Sequence, residues 1–152
     1  LSGLNLKVAV LHGGLTDRLW SKKEQRFENL QEHLQLIRSY NVIPGIVSHS
    51  PGEHFPPLIK KPYDIQVFVS PFNMLGWMLN PTPERATQAI SSLDKPFVAI
   101  KPLAMGRINP KIALEWALSK PYVSGCVIGA STVYELEEDY AIAREIFGKK
   151  NT

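Results

Sequence analysis

Five short apolar runs recur along this chain. Each one ends in a polar loop followed by a helical pattern. The runs are Lys7–Leu11, Gly45–Ser48, Ile65–Val69, Phe97–Lys101 and Gly125–Ile128. Their ends fall near residues 12, 48, 70, 101 and 129, so the spacings are 36, 22, 31 and 28. A short run that is apolar on both faces reads as a strand buried in a parallel sheet. Strands repeating about every 30 residues with helices between them fit a barrel or a doubly wound sheet. The expected fold is α/β, a (β/α) TIM-barrel type. It is expected to be one domain over residues 1–152 holding about five parallel βα units, a partial barrel, since a closed one takes eight units and roughly 250 residues. An open flavodoxin-like sheet is the competing arrangement. A dinucleotide-binding version of it is disfavoured, because no glycine-rich phosphate fingerprint follows the first strand.

Punctuation between the runs places the helices. Phe27, Leu30, Leu34 and Ile37 share one face of a helix over Glu24–Arg38, which Asn41 stops. Pro44 is awkward in mid-sheet, so the second strand is expected to start at Gly45. A short helix over Glu53–Lys61 carries Pro56 and Pro57. Thr82 followed by Pro83 opens a helix running to about Leu93, and Asn109-Pro110 opens one over Lys111–Ser119. The latter is expected to bury Ile112, Trp116 and Ala117. Thr132 and Glu135 form a capping box for a final helix, Val133–Phe147. Its expected buried face is Leu136, Tyr140, Ala143 and Phe147.

Composition narrows the functional classes. At 44% hydrophobic and 20% charged residues, the 152-residue chain is an ordinary globular protein. A net charge of +3 with scattered basic pairs such as Lys22-Lys23 and Lys60-Lys61 describes a solvated surface, so no nucleic-acid partner is expected. The single cysteine, Cys126, lies in an apolar run and reads as a buried structural thiol. No apolar run reaches the roughly 18 residues a membrane helix needs, so no membrane partner is expected. The start, LSGLNLKVAV, lacks a basic region and a small-residue cleavage site, and the expected compartment is cytoplasmic. A chain that opens without Met and almost at once on a buried-type strand reads as a fragment or a processed product.

Polar residues gather where a (β/α) fold builds its site, at the C-terminal ends of strands. They are His12 and Asp17 after the first run, Ser48 and His49 after the second, and Asn73 after the third. Lys101 and Arg107 follow the fourth run, and Ser131 and Thr132 the fifth. Each also has a plain structural role open to it: Ser131 and Thr132 can cap a helix, Asn73 can make a turn, and Arg107 can be solvated. Trp20 and Trp77 lie in loops on the same rim and are candidates to line a substrate pocket with Asp17 and Asn73. Trp116 is a core residue by helical spacing. His33 and His54 read as structural or surface residues. One chemical alternative is that His12, Asp17 and His49 meet as metal ligands of a hydrolase or lyase.

Several of these segments together resemble the aldo-keto reductase superfamily, specifically the last five units of its barrel. Val8-Ala9-Val10-Leu11-His12 is similar to the apolar fourth strand that ends in the catalytic histidine. Gly45-Ile46-Val47-Ser48-His49 is similar to a G-x-S-N pattern at the nicotinamide carboxamide, with the serine one place late and histidine in place of asparagine. Lys101 to Arg107, KPLAMGR, resembles the K-P-L-x-x-G-R variant of the seventh strand. Val127 to Ser131, followed by Glu137-Glu138-Asp139, resembles the V-I-x-G-x-S and E-E-N patterns of the eighth. H-G-x-x-T-D-R-L-W, S-H-S-P and P-F-N-x-x-G-W-M likewise resemble aldo-keto-reductase-like barrels.

The resemblance implies an NAD(P)-dependent oxidoreductase acting on a small-molecule carbonyl substrate. It makes His12 the residue that orients the carbonyl oxygen. Ser48, His49, Lys101, Arg107, Gly129, Ser131, Thr132 and Glu138 become cofactor residues, with Gly129 to Thr132 as a phosphate-binding loop at a helix N-terminus. Lys101 and Arg107 then suit an anionic ligand better than acid–base chemistry. The family's Asp, Tyr and Lys lie in units this chain does not contain, so the isolated chain is expected to be inactive. Asp139 stands where the family has Asn and adds negative charge near the expected phosphate, which leaves NADPH, NADH or no dinucleotide open. The remaining alternative is a non-catalytic fragment or a subunit of a composite barrel. Five barrel strands leave two open edges, which call for self-association or a missing N-terminal half.

Overall fold

The computed structural model describes residues 5–150. Leu1 to Leu4, on which the fragment and leader readings partly rest, lie outside the described residues. Along the chain, β1 (Val8–Leu11) leads into a short helix α1 (Gly13–Arg18). A small antiparallel hairpin follows, β2 (Trp20–Ser21) and β3 (Arg26–Phe27), and then α2 (Leu30–Ser39). Four further units complete it: β4 (Ile43–Val47) with α3 (Pro51–Lys60), β5 (Val67–Pro71) with α4 (Pro83–Ser91), β6 (Phe97–Ile100) with α5 (Pro110–Leu118), and β7 (Gly125–Val127) with α6 (Val133–Lys150).

The five main strands form one parallel sheet in the order β1-β4-β5-β6-β7. No strand inserts out of turn. A flavodoxin-like sheet needs an order that reverses partway, so the open doubly wound alternative is overturned. With right-handed crossovers all running one way, every helix falls on one side of the sheet, the arrangement of a barrel wall.

The register separates the two faces. Ala9, Leu11, Ile46, Phe68, Phe97 and Ala99 point to the helices, and Leu11, Ile46, Phe68, Phe97 and Ala99 join the main core. Phe72 anchors that core at the end of β5, stacked on Trp116 with ring centroids 4.9 Å apart. The opposite face is a row of β-branched residues: Val8, Val10, Val67, Val69, Val98 and Val127. Val8, Val10 and Val127 are exposed there, the last at 56%. Among the described residues, β1 and β7 each pair on one side only.

Several local expectations are corrected. The helix expected over 24–38 begins only at Leu30. Asn29 takes a left-handed conformation at φ 54°, and Phe27 belongs to the hairpin. Phe27 is buried as expected, but from a strand, because its spacing to Leu30 and Leu34 matched a helical face by coincidence. Gly13–Arg18, expected as loop, is a helix that His12 caps. Pro44 lies inside β4. Ile43 N–H donates to the Lys7 carbonyl on the β1 side, while the Pro44 carbonyl accepts from Gln66 N–H on the other side (both 2.9 Å). Pro44's missing donor therefore faces β5 just before that strand begins at Val67, where no ladder bond is lost. The third strand sits two residues later than expected, at Val67–Pro71.

The helix start signals hold, and two faces do not. Thr82 Oγ1 accepts from Arg85 N–H, and Asn109 Oδ1 accepts from Lys111 and Ile112 N–H. On α5 the buried face is Ala113, Leu114, Ala117 and Leu118, with Trp116 half-buried and Ile112 exposed. On α6, Leu136, Tyr140 and Phe147 are exposed and Ala143 is half-buried; the helix turns Asp139, Ile142 and Ile146 inward instead. The face turned inward lies one residue from the expected one and holds two isoleucines and a carboxylate, so apolar spacing alone picked the wrong side. Cys126 is half-buried against the main core, less enclosed than expected.

Candidate functional site

The C-terminal ends of β1 and β4 hold a polar cluster. His12 follows β1 and caps α1: its Nδ1 accepts from Gly14 N–H at 3.2 Å, and its carbonyl accepts from Leu15 and Thr16 N–H. An imidazole nitrogen that accepts carries no proton, so the neutral His12 ring bears its N–H on Nε2.

α1 carries Asp17 toward the end of the neighbouring strand. The Asp17 carboxylate accepts from His49 backbone N–H at 3.2 Å and from Ser48 Oγ–H at 3.3 Å, and it meets His49 Nδ1 at 2.7 Å. A carboxylate only accepts, so His49 Nδ1 bears the proton and the neutral ring's Nε2 keeps its lone pair. The two histidines are thus of opposite tautomer. Gly13 makes the arrangement possible, because a Cβ at that position would lie 2.5 Å from His49 Cε1. Asn80 Nδ2 donates to the His49 carbonyl at 2.9 Å and fixes the loop from its other side.

His54 is the member of this cluster that the sequence did not suggest. α3 starts at Pro51, and its first turn brings His54 back over Ser48, with Ser48 Oγ 2.7 Å from His54 Nδ1. Both residues are buried, His54 at 3% exposure and Ser48 at 0%. Burial holds the His54 imidazole below its ordinary value of 6.5, against the upward pull of Asp17 and Glu53 and along with the downward push of Lys22. His54 is therefore neutral, and its 3.5 Å approach to Asp17 is not an ion pair. The proton count then has one solution. His54 Nδ1–H and Ser50 N–H donate to Ser48 Oγ, and Ser48 Oγ–H donates to Asp17. Trp20 is half-buried here. Its ring packs on Phe27 and His54, with centroids 4.9 and 5.1 Å away.

A second polar group lies past β5 and β6. Asn73, only 2% exposed, accepts from Trp77 N–H and donates to the Trp77 carbonyl, both at 2.9 Å. This clasp presents the indole to two cations. Lys101 Nζ sits 5.4 Å from the Trp77 ring centre and Arg107 Cζ sits 5.2 Å from it. Lys101 Nζ also lies 3.2 Å from Met78 Sδ. Lys101, Ala104 and Met105 all take left-handed backbone conformations, with φ of 57°, 48° and 60°. Non-glycine residues rarely do so, and such strain concentrates at functional loops.

Beside this loop, a cleft of about 840 Å³ runs between the ends of β6 and β7 and the start of α6. Lys101, Gly129, Ser131 and Glu138 line it, together with Glu135 and Asp139. Thr132 and Arg107 are not among its lining residues. Thr132 Oγ1 caps α6 by accepting from Glu135 N–H at 3.1 Å, and Ser131 N–H donates to Glu135 Oε2 at 2.6 Å. An amide expected to meet a phosphate is thus already engaged by the chain's own carboxylate. Asp139 is 5% exposed, and burial, then Glu138 and Glu135, raises its carboxyl above the ordinary value.

The metal alternative loses its geometry. Among the described residues, no group of three or more His, Cys, Asp or Glu could hold an ion. Also among these residues, no helix is long and apolar enough to cross a membrane.

No family model and no curated protein matches the sequence. Nine chains of solved structures do match its fold, two of them as follows. Both are of a protein described as a "putative aldo-keto reductase" from Pseudomonas aeruginosa, each with a TM-score of 0.65 at 14% identity. The match covers 93% of this chain and 53% or 52% of the solved ones, so the chain spans about half their length. The five-unit parallel sheet with its helices is similar to part of an aldo-keto-reductase-type α/β fold, as its motifs suggested.

Proposed function

We propose that this chain is the dinucleotide-binding part of an aldo-keto-reductase-like carbonyl oxidoreductase, and that turnover requires further βα units to close the barrel. The observation that carries this reading is the cleft at the ends of β6 and β7, with Lys101 on its wall. It is large enough for part of a dinucleotide, and it adjoins the strained loop of the KPLAMGR segment.

A nicotinamide dinucleotide, when bound, supplies the hydride. The chain's own residues hold and orient. Lys101, steadied on Trp77, faces a pyrophosphate; the backbone at Gly129 offers an amide, and Ser131 N–H offers a second once Glu135 releases it; Glu138 offers a carboxylate to a ribose hydroxyl. His12 presents Nε2–H to a carbonyl oxygen, while His49 stands beside it at the end of the adjacent strand. Ser48 is wholly buried, so it acts by positioning Asp17 and His54 rather than by touching the nicotinamide. Glu135, Glu138 and Asp139 make the cleft a poor host for an additional phosphate, which favours NADH over NADPH. With the family's Asp, Tyr and Lys outside these five units, binding is the activity proposed for this chain alone.

Titration of NADH with tryptophan fluorescence as the readout tests this, since Trp77 underlies Lys101. Saturable quenching is expected, weaker with NADPH. Glu135→Ala frees Ser131 N–H and removes a charge, and it is expected to tighten binding about three- to fivefold. No change in emission up to about millimolar dinucleotide, a range that spans ordinary cofactor affinities, removes the reading.

A further inference from the structure

The geometry points to an acid–base pair, His49 with His12, that catalyses proton transfer at the carbon next to a carbonyl without any dinucleotide. This goes beyond the oxidoreductase reading, because it uses neither the cleft nor the units outside this chain.

Three observations carry it. First, Asp17 grips His49 at three points: through Nδ1–H at 2.7 Å, through its backbone N–H at 3.2 Å, and indirectly through Ser48 at 3.3 Å. A carboxylate on Nδ1 holds the ring with its lone pair on Nε2, the form a general base needs. Among the described residues, His49 Nε2 has no hydrogen-bond partner, and the side chain is 28% exposed. Secondly, the support beneath this dyad is built rather than incidental. Ser48 and His54 are buried and hydrogen-bonded to one another, Ser48 also donates to Asp17, and Gly13 leaves the space the His49 ring occupies. Thirdly, His12 has the opposite tautomer, with a proton on Nε2, and it follows the strand that pairs with β4. A base and a donor thus stand at adjacent strand ends, on either side of the first residues of α1, Gly13 and Gly14.

A donor beside a base suits one substrate class, a small ketone or aldehyde with a hydrogen on the adjacent carbon. His49 Nε2 takes that proton. The C–H electron pair becomes the new carbon–carbon π bond, and the carbonyl π pair moves to oxygen, where His12 Nε2–H donates. Return of a proton from His49 to carbon restores the carbonyl, with solvent exchange in between. Nothing is oxidised or reduced. Ser48 is not a nucleophile in this scheme, because it is wholly buried and its proton is committed to Asp17.

The test is hydrogen–deuterium exchange of hydroxyacetone in D2O, followed by proton NMR, with the full chain and no dinucleotide. Exchange is expected to saturate with hydroxyacetone and to exceed that of equimolar free imidazole by about a hundredfold or more. His49→Gln is expected to abolish the excess, and His33→Gln, on α2 outside the cluster, to keep it. Asp17 acts through His49, so its readout is spectroscopic as well. In ¹⁵N spectra, wild-type His49 is expected as the Nδ1–H form and the Asp17→Asn variant as a mixture, with exchange lowered about tenfold or more. Wild-type exchange no faster than imidazole overturns the proposal whether or not any variant folds. So does full activity in His49→Gln. Neither result touches the dinucleotide reading, which the NADH titration decides separately.

Discussion

Ser48 Oγ has one proton and three polar neighbours, a count that puts a proton on His54 Nδ1, and burial keeps the ring neutral. Because burial depresses the His54 imidazole, the native state resists its protonation while the unfolded chain does not. The sign follows from linkage: below 6.5 the unfolded state binds more protons, so this contribution is present above 6.5 and is lost as the pH falls. Urea unfolding at about pH 7.5 and about pH 5.5 is expected to show lower stability at the acid end. His54→Ala removes the ring from between Trp20 and Phe27 and leaves Ser48 short of a donor. It is expected to cost about 2–4 kcal/mol at neutral pH and to flatten the pH dependence. An unchanged slope in that variant would assign the acid sensitivity to another group. The residues themselves were legible unequally. His12, Asp17, Ser48 and His49 could be found because a (β/α) chain puts its chemistry just past its strands. His54 could not, because its contact runs six residues back through a helix turn, and only Pro51 as a helix start hinted at that return.

On the scale of elements, caps were more readable than faces. A cap depends on one side chain and the two or three amides after it, so Thr82, Asn109 and Thr132 could be placed from local sequence and are found capping. A face depends on what lies opposite. The Leu136, Tyr140 and Phe147 stripe of α6 is the more regular apolar one, yet tertiary packing turns Ile142 and Ile146 inward instead. The choice carries Asp139 inward with it. Its raised carboxyl means that the charged form is penalised in the native state. Stability from this group is therefore greatest when the carboxyl is protonated, and it declines as pH rises from 3.8 through the folded value. Asp139→Asn is expected to raise the neutral-pH melting temperature by roughly 2–4 °C, an effect of about 1 kcal/mol in a chain this size, and to give no gain near pH 3. Calorimetry at the two pH values checks both halves. A gain that persisted in acid would point to packing rather than charge.

For the whole molecule, the repeat of βα units was visible in the strand spacings, but strand order was not. Order depends on the direction of each crossover, which no single segment encodes, and the sequence left a reversing sheet open. The sequential order leaves the edges of the valine-rich face exposed, at Val8, Val10 and Val127. At roughly 25 cal/mol per Å² of apolar surface, that face and the unpaired sides of β1 and β7 favour association with another polypeptide. The solved chains it matches are about twice as long, and in a pure sample a second copy of this chain is the available cover. Sedimentation of the isolated chain is therefore expected to give an average mass that rises with concentration. Val10→Lys and Val127→Lys each place a charge on that face at positions already 38% and 56% exposed, so neither disturbs the main core. Both are expected to restore a monomer with little change in unfolding midpoint, within about 0.5 kcal/mol. If the two variants associate as the parent does, the valine face is not the contact, and the exposed stripe of α6 becomes the surface to charge next, at Leu136 and Tyr140.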